Sequence, residues 1–384
     1  MRHPLLSATV TAGLVLALTG CAPGVSSPTT TAAIGKVDLS DVCPATIVVQ
    51  TDWNPSAEHG FTYEMLGPDP VIDKSALSVK GPLYAHGEYT GVNIEIRAGG
   101  PAVGYQTVES QLYADPSITL GYVQTDGQIM ASDQLPTVSV MAPLEVSPQI
   151  IMWDPATYPD ITRIEQLKDT NAMVRYFTGA PFMEYLVQSG QLRREQTDGS
   201  YTGTPANFVA AGGKDAQQGF ASSEPYLYEK EIADWGKPVA YQLVSDAGYE
   251  NYTGTMAVRA DALPELDACL TKLVPVMQQA EVDFYADPEP VLDLIVKAVD
   301  TYDDGIVYTR GAAEFGTTSV LADGLVSNGD NSTIGDFDDD RMKRFFSVVA
   351  PIASAVGSPP ADGLTADDLY TNRFIDPSIG LPTP

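Results

Sequence analysis

The chain has 384 residues, room for two or three domains at roughly 100–200 residues each. Hydrophobic residues make up 44% and charged residues 18%, a composition that builds a core and excludes a wholly disordered chain. Fifty Asp and Glu against 21 Lys and Arg give a net charge of -29, a field that opposes wrapping a phosphate backbone and disfavours nucleic-acid binding.

The chain opens with Met1-Arg2-His3, an apolar stretch Pro4–Leu18, and Leu18-Thr19-Gly20-Cys21. A basic start, a short apolar region and small residues before a cut site describe an export signal over residues 1–20, too short for the ~20 residues of a stable span. With Cys directly after Leu-Thr-Gly, the segment resembles a bacterial lipoprotein signal, which implies a lipidated (palmitate-bearing) Cys21 as the first mature residue. An ordinary secretory peptide with an incidental Cys is the alternative. No other run approaches a span, which excludes a polytopic membrane protein. Val25–Gly35, rich in Ser, Thr and Pro, reads as disordered, and residues 21–43 as a lipid-anchored tether. The expected location is the extracytoplasmic face of the cell membrane. Cys43 and Cys269 then remain, and an oxidising compartment favours one disulfide between them; two separate buried thiols are the alternative. A bridge would mean that the chain leaves its first domain and comes back.

Thr46–Gln50, Val92–Ile96 and Ile118–Val123 read as strands, alternating with helical patterns at Glu58–Leu66 and Val103–Tyr113, which predicts a parallel α/β sheet. Pro136–Pro143 and Gln149–Trp153 read as strands leaving this unit. A second alternation follows: a short helix Arg163–Lys168, a strand Ala172–Phe177, a helix Pro181–Ser189, a polar loop Gly190–Gly203, a short helix from Asn207, a strand Gln218–Ala221 and a helix Ser223–Asp234. Val239–Val244 and Tyr252–Val258 read as returning strands. Long helical patterns close the chain at Ala262–Tyr285, Pro290–Tyr302 and Arg341–Val356. The expected organisation is a first lobe over 44–142, an inserted lobe over 143–242, and a return with C-terminal helices over 243–384. Two crossing segments near 140–150 and 240–250 would form a hinge beside a cleft.

Thr51-Asp52-Trp53 follows the first strand, where open α/β sheets bind ligands; the ring can stack and the carboxylate can accept. Packing of Trp53 under its loop and capping by Asp52 are the plain alternative. Three strand-to-helix turns carry glycine: Arg97-Ala98-Gly99-Gly100-Pro101, Gln124-Thr125-Asp126-Gly127 and Thr178-Gly179-Ala180. Arg97 and Arg175 are either anion clamps or members of internal salt bridges. Catalytic patterns are thin: beyond the signal the histidines are His59 and His86, and neither a nucleophile elbow, a zinc spacing nor a phosphate-binding loop is present. The run Asp336–Asp340 lacks calcium-loop ligands, since Arg341 stands at the glycine position and Ser347 at the closing glutamate; it reads as a solvated lead-in to the last helix. No metal and no cofactor is expected.

The lipobox, the Thr51-Asp52-Trp53 strand end with Glu58-His59-Gly60, the segment EIRAGGP and the segment GYVQTDG together resemble substrate-binding lipoproteins of ABC importers, in the group that binds nitrate, taurine, alkanesulfonates and thiamine-pyrimidine precursors. The resemblance covers roughly residues 44–325. It implies a two-lobed α/β periplasmic-binding-protein fold of type 2, an ABC permease with its ATPase as partners, and a monomer. By the same resemblance the ligand shell draws on Asp52, Trp53, Gly99, Gly100, Gln124 and Asp126 from one lobe. Gly179, Ala180 and Glu224 face them from the other, with Asp246 and Tyr249 near the hinge return. His59, Arg97 and Arg175 complete the candidate set. The function expected is capture of a small planar or anionic organic solute, without catalysis. The alternatives are a surface hydrolase using His59 with Asp52 or Glu58, and an interaction protein with a vestigial cleft.

Overall fold

The structure is a computed structural model that describes residues 32–382, so the export signal, Cys21 and the start of the tether lie outside the described residues. Among the described residues no helix is long and apolar enough to cross a membrane.

The first sheet is built around β1 (Thr46–Gln50), whose β-branched run is buried on both faces because parallel partners flank it. β4 (Glu88–Arg97) and β5 (Leu120–Val123) are those partners, with Val49 opposite Ile96 and Leu120. β2 (Val71–Asp73) and β3 (Ser78–Ala85) extend the sheet antiparallel beyond β4. This meander has no counterpart in the sequence reading. Its β3–β4 turn is His86-Gly87, with φ of 50° and 73°, the left-handed pair that a two-residue hairpin needs. On the other side β12 (Thr255–Arg259) pairs antiparallel with β5 and with β6 (Thr137–Met141), giving the order β2-β3-β4-β1-β5-β12-β6. The strand expected to leave with Pro136–Pro143 therefore stays as an edge of this sheet.

The second sheet has β7 (Gln149–Trp153) between β10 (Ala216–Phe220) and β11 (Ala240–Leu243), then the two-residue β8 (Val174–Arg175) and β9 (Thr197–Asp198). β11 does not return to the first sheet. Tyr241 and Leu243 stand opposite Met152 and Ile150, so the strand covers an apolar row that would otherwise face water. The chain passes from the first sheet to the second through 142–148 and back through 244–254.

Helices cover both sheets: α1 (Gly60–Glu64), α2 (Val108–Ala114), α3 (Thr125–Ala131), α4 (Pro181–Gln188), α5 (Ala206–Ala210) and α6 (Glu224–Tyr226) precede the long α7 (Leu263–Ala286). α7 buries Leu270, Leu273 and Met277 at the spacing the sequence shows. α8 (Glu289–Tyr302), α9 (Arg310–Ala322) and α10 (Asp339–Ala355) follow. α9 escapes sequence reading because its Gly and Thr residues have low helix propensity; the Thr309 hydroxyl caps it at Ala312 N, 3.1 Å away. The acidic run does lead into α10: Asp338 caps the helix, and Asp339 and Asp340 sit at its positive end.

The tether ends earlier than expected. Ile34 bridges to Tyr89, Gly35 N donates to Tyr89 O at 2.8 Å, and Leu39 is fully buried, so residues 34–43 already belong to the first lobe. Burial of Leu39 and backbone bonds from Gly35 and Leu39 to Tyr89 and Thr90 together hold the segment against β4. Beside it Cys43 and Cys269 form a disulfide across 226 residues. Closing so long a loop removes much unfolded-state entropy. Replacing Cys43 by Ser is expected to lower the unfolding free energy by about 2–5 kcal/mol in urea titrations; an unchanged midpoint would show that the bridge adds nothing.

Candidate functional site

Thr51 directly follows β1 and fixes the next loop: its N–H donates to Arg97 O at 3.0 Å, and its hydroxyl lies 2.6 Å from Trp53 O. Gly99 N donates to Trp53 O at 3.0 Å, and a Cβ on Gly99 would sit 2.0 Å from Thr51 O, so only glycine fits there. At Gly100 (φ 57°) a Cβ would lie 2.6 Å from Trp53 Cε3. These two glycines seat the Trp53 ring. The ring then reaches the other lobe, with its centroid 6.4 Å from that of Phe177 and its edge against Gly203. Phe177 packs in turn on Tyr201 at 4.8 Å.

Carboxyl groups gather around this aromatic contact. Asp52 Oδ1 lies 2.9 Å from His59 Nε2, while His59 Nδ1 lies 3.1 Å from Ser56 Oγ, so both ring nitrogens are engaged and the buried imidazole orients Asp52. Glu58 accepts from Ser222 Oγ of the second lobe. Burial, with neighbouring Asp52, raises the Glu58 pKa. Glu224 accepts from Phe220 N at 2.7 Å and faces the Tyr201 hydroxyl at 3.4 Å; burial is the main cause that pushes its pKa up to about 7, and Glu58 adds to it. Asp126 accepts from Tyr249 OH at 2.8 Å and is raised by burial, as is Glu109, which faces Asp126 and Asp52.

The other sequence candidates disperse. Gln124 holds the N-terminal cap position of α3, and Ala180 that of α4, beside an exposed Gly179. Asp246 is exposed on the turn after β11, while Tyr249 is buried and packs on Tyr185 and Phe345. Both arginines have internal partners. Arg97 is held by Glu95 and Asp115, each at 2.8 Å, and Arg175 by Asp198 at 2.6 Å and Asp215 at 2.7 Å. Strand alternation puts Glu95 on the same face of β4 as Arg97, the other three carboxylates come from outside the arginines' own strands, and two anions per cation leave no free charge for a clamp.

The sequence reading assigned no role beyond residue 325, yet that segment governs the hinge. Arg341 of α10 donates from Nε to Glu250 O at 2.9 Å, from Nη2 to Asn251 O at 2.9 Å and from Nη1 to Glu145 O. Its guanidinium also lies 3.7 Å over the Tyr252 ring. One side chain thus joins both crossing segments, which Ser147 and Thr253 link directly at 2.8 Å. Met342, Phe345 and Val349 pack between Ile129 of α3 and Phe182 and Leu186 of α4, one helix from each lobe. α9 makes a second bridge: Gly316 lies against Ala57 and the Ser222 carbonyl, and Phe315 stacks on Tyr226 at 5.5 Å. No sequence signal singles it out, since Arg341 closes the acidic run and is followed closely by Lys343 and Arg344.

Two mixed sheets, an interrupted first lobe and two crossovers define a two-lobed α/β protein of the type 2 periplasmic-binding-protein fold. Solved structures share it. The aliphatic sulphonate binding protein SsuA from Escherichia coli matches at 13% identity over 82% of this chain and 87% of that one, with a TM-score of 0.51. The alkanesulfonate-binding protein SsuA from Xanthomonas axonopodis, solved with MOPS, matches at 12% identity over 85% and 99%, also at 0.51. The nitrate-binding protein NrtA from Synechocystis matches at 13% identity over 86% and 87%, at 0.50. No protein-family model and no curated protein sequence matches the chain. Likeness at these identities speaks for the fold, and these neighbours belong to the group that the sequence resembles.

Two expectations follow. Arg341→Ala strips three backbone carbonyls of their donor and is expected to cost about 2–4 kcal/mol, with faster amide exchange in 142–148 and 244–254; exchange unchanged there would remove the hinge role. Glu224 has a folded pKa of about 7 against 4.5 for the free side chain, so the folded state holds its proton more tightly. Its stabilising share is therefore fully present below pH ~4.5 and is lost as pH rises through ~7, amounting to at most about 3 kcal/mol. Glu224→Gln should flatten that decline in urea titrations run at stepped pH.

Proposed function

We propose that this chain is an extracytoplasmic solute-binding lipoprotein, anchored through Cys21, that captures a small organic molecule between its lobes and delivers it to an ABC importer as a monomer. The observation that carries the reading is the seam where Trp53 of the first lobe meets Phe177 and Gly203 of the second, beside the Glu58–Ser222 bond. Rings and polar groups converging from two lobes on one seam are what a closing trap requires, and ligands gather at such interfaces. The neighbours named above, which bind sulfonates or nitrate, support capture of a small solute. Trp53, Asp52, Gly100 and Glu224 are the contacts proposed for it, with His59 holding Asp52. The lobes would span 34–142 and 143–242, completed by 243–384.

Catalysis is not part of this reading. His59 bonds Asp52 through one ring nitrogen and the Ser56 hydroxyl through the other, a pairing that a catalytic base also shows, so an enzymatic outcome is one arm of the test. The test is native mass spectrometry of protein purified from its own host, followed by thermal denaturation with the released compound. A retained molecule that is unchanged on incubation and raises the Tm is expected, with the rise lost in Trp53→Ala. Release of a chemically altered compound, abolished in His59→Ala, would overturn the reading in favour of an enzyme.

A further inference from the structure

The seam is rich in acceptors and poor in positive charge. Glu224, Glu58 and Asp52 are close enough that each perturbs the next, and Glu109 and Asp126 continue the row. Among the described residues no lysine or arginine hydrogen-bonds or ion-pairs with any of these five carboxyls; their one basic neighbour is His59. Two further acceptors near the seam have no donor: Asn54 Oδ1, next in the chain to Trp53, and Glu281 Oε2, whose buried carboxyl faces Tyr122 and, with Glu58, Tyr285. Burial raises the proton affinity of these carboxyls, so an anion entering here would find no fixed positive charge to pair with, whereas a cation would pair with their ionised form. The two guanidiniums able to supply positive charge are already committed to carboxylates.

The aromatic side of the seam favours the opposite sign. The faces of Trp, Tyr and Phe carry negative quadrupole potential and attract cations, most strongly where water is excluded. Trp53, Phe177 and Tyr201 form a continuous row, and the Tyr201 hydroxyl ends at Glu224, so ring faces and carboxylates adjoin. Among the described residues no group of three His, Cys, Asp or Glu side chains is arranged to hold a metal ion, so the charge would be carried by an organic molecule.

On the reading of this seam as a capture site, we propose that its solute is an organic cation, an alkylammonium or protonated planar base, held by Trp53, Phe177 and Tyr201 against Asp52, Glu58 and Glu224. Of the planar or anionic solutes expected from the sequence, this keeps the planar ones and replaces negative charge by positive. A cation selects ionised Glu224, so affinity rises as pH is raised through about 7.

The test is calorimetric and thermal titration of the full chain with choline, 1-methylnicotinamide and agmatine. The uncharged choline isostere 3,3-dimethylbutanol, ethanesulfonate, nitrate and benzoate serve as controls. At least one cation is expected to bind, raising the Tm by about 2–4 °C at saturation, more tightly at pH 8 than at pH 6. Glu224→Gln should weaken it roughly tenfold or more and remove the pH dependence, and Trp53→Leu should weaken it while leaving the free protein folded. Binding of ethanesulfonate, nitrate or benzoate, or equal binding of the neutral isostere, overturns the cation assignment and leaves solute capture standing. Failure of all three cations overturns the assignment. If native mass spectrometry also finds no retained molecule, the capture reading falls with it.

Discussion

The guanidinium of Arg341 is the point on which the relation of the two lobes depends. It spends its donors on carbonyls of both crossing segments and its face on Tyr252, so the two passes of the chain between the sheets behave as one strut. A lysine could not do this, because its point charge lacks the planar fork that serves three acceptors at once. α10 carries the arginine and wedges its apolar side between a helix of each lobe, and α9 does the same from Ala57 to Tyr226. The seam at Trp53 is therefore held by a frame that lies largely in the last third of the chain.

Charge in the seam follows from the same enclosure. Carboxyls that would be ordinary on the surface are crowded between lobes, where loss of water raises their proton affinity and, among the described residues, no basic side chain but His59 compensates. The overall charge of -29 does not explain this, since Arg97 and Arg175, which are partly buried, are fully matched with acids on their own lobes. Local pairing decides the sign a ligand meets, and the pairing here leaves an excess of acceptors on one side and ring faces on the other.

Much of the scaffold was legible because it rests on local rules. The run TIVVQ reads as a strand buried on both faces, the Leu and Met spacing of α7 reads as a helix, and the cysteine count favours the bridge that closes the first lobe. The Trp53 loop was legible as a strand end with an aromatic ring, and Gly99 and Gly100 as a turn. Their role in seating that ring was not, because it depends on a distance to Thr51, nearly fifty positions away in the chain. The β2–β3 hairpin, α9 and the pairing of β11 were missed for a like reason: short strands and Gly/Thr-rich helices have weak intrinsic signals and form because neighbours cover them.

By itself the sequence determined the alternation of strands and helices and the residue types at each strand end, and it favoured a bridge between two cysteines, since these follow from periodicity, composition and counting. Tertiary structure alone decided that Arg97 and Arg175 spend their charge internally, that Arg341 ties the hinge, and that Glu224 and Glu58 meet beside Trp53. Those outcomes depend on which groups, distant along the chain, come within a few ångströms and lose their water. Electrostatic energy is set by that distance and that loss, and neither is written in the order of the residues.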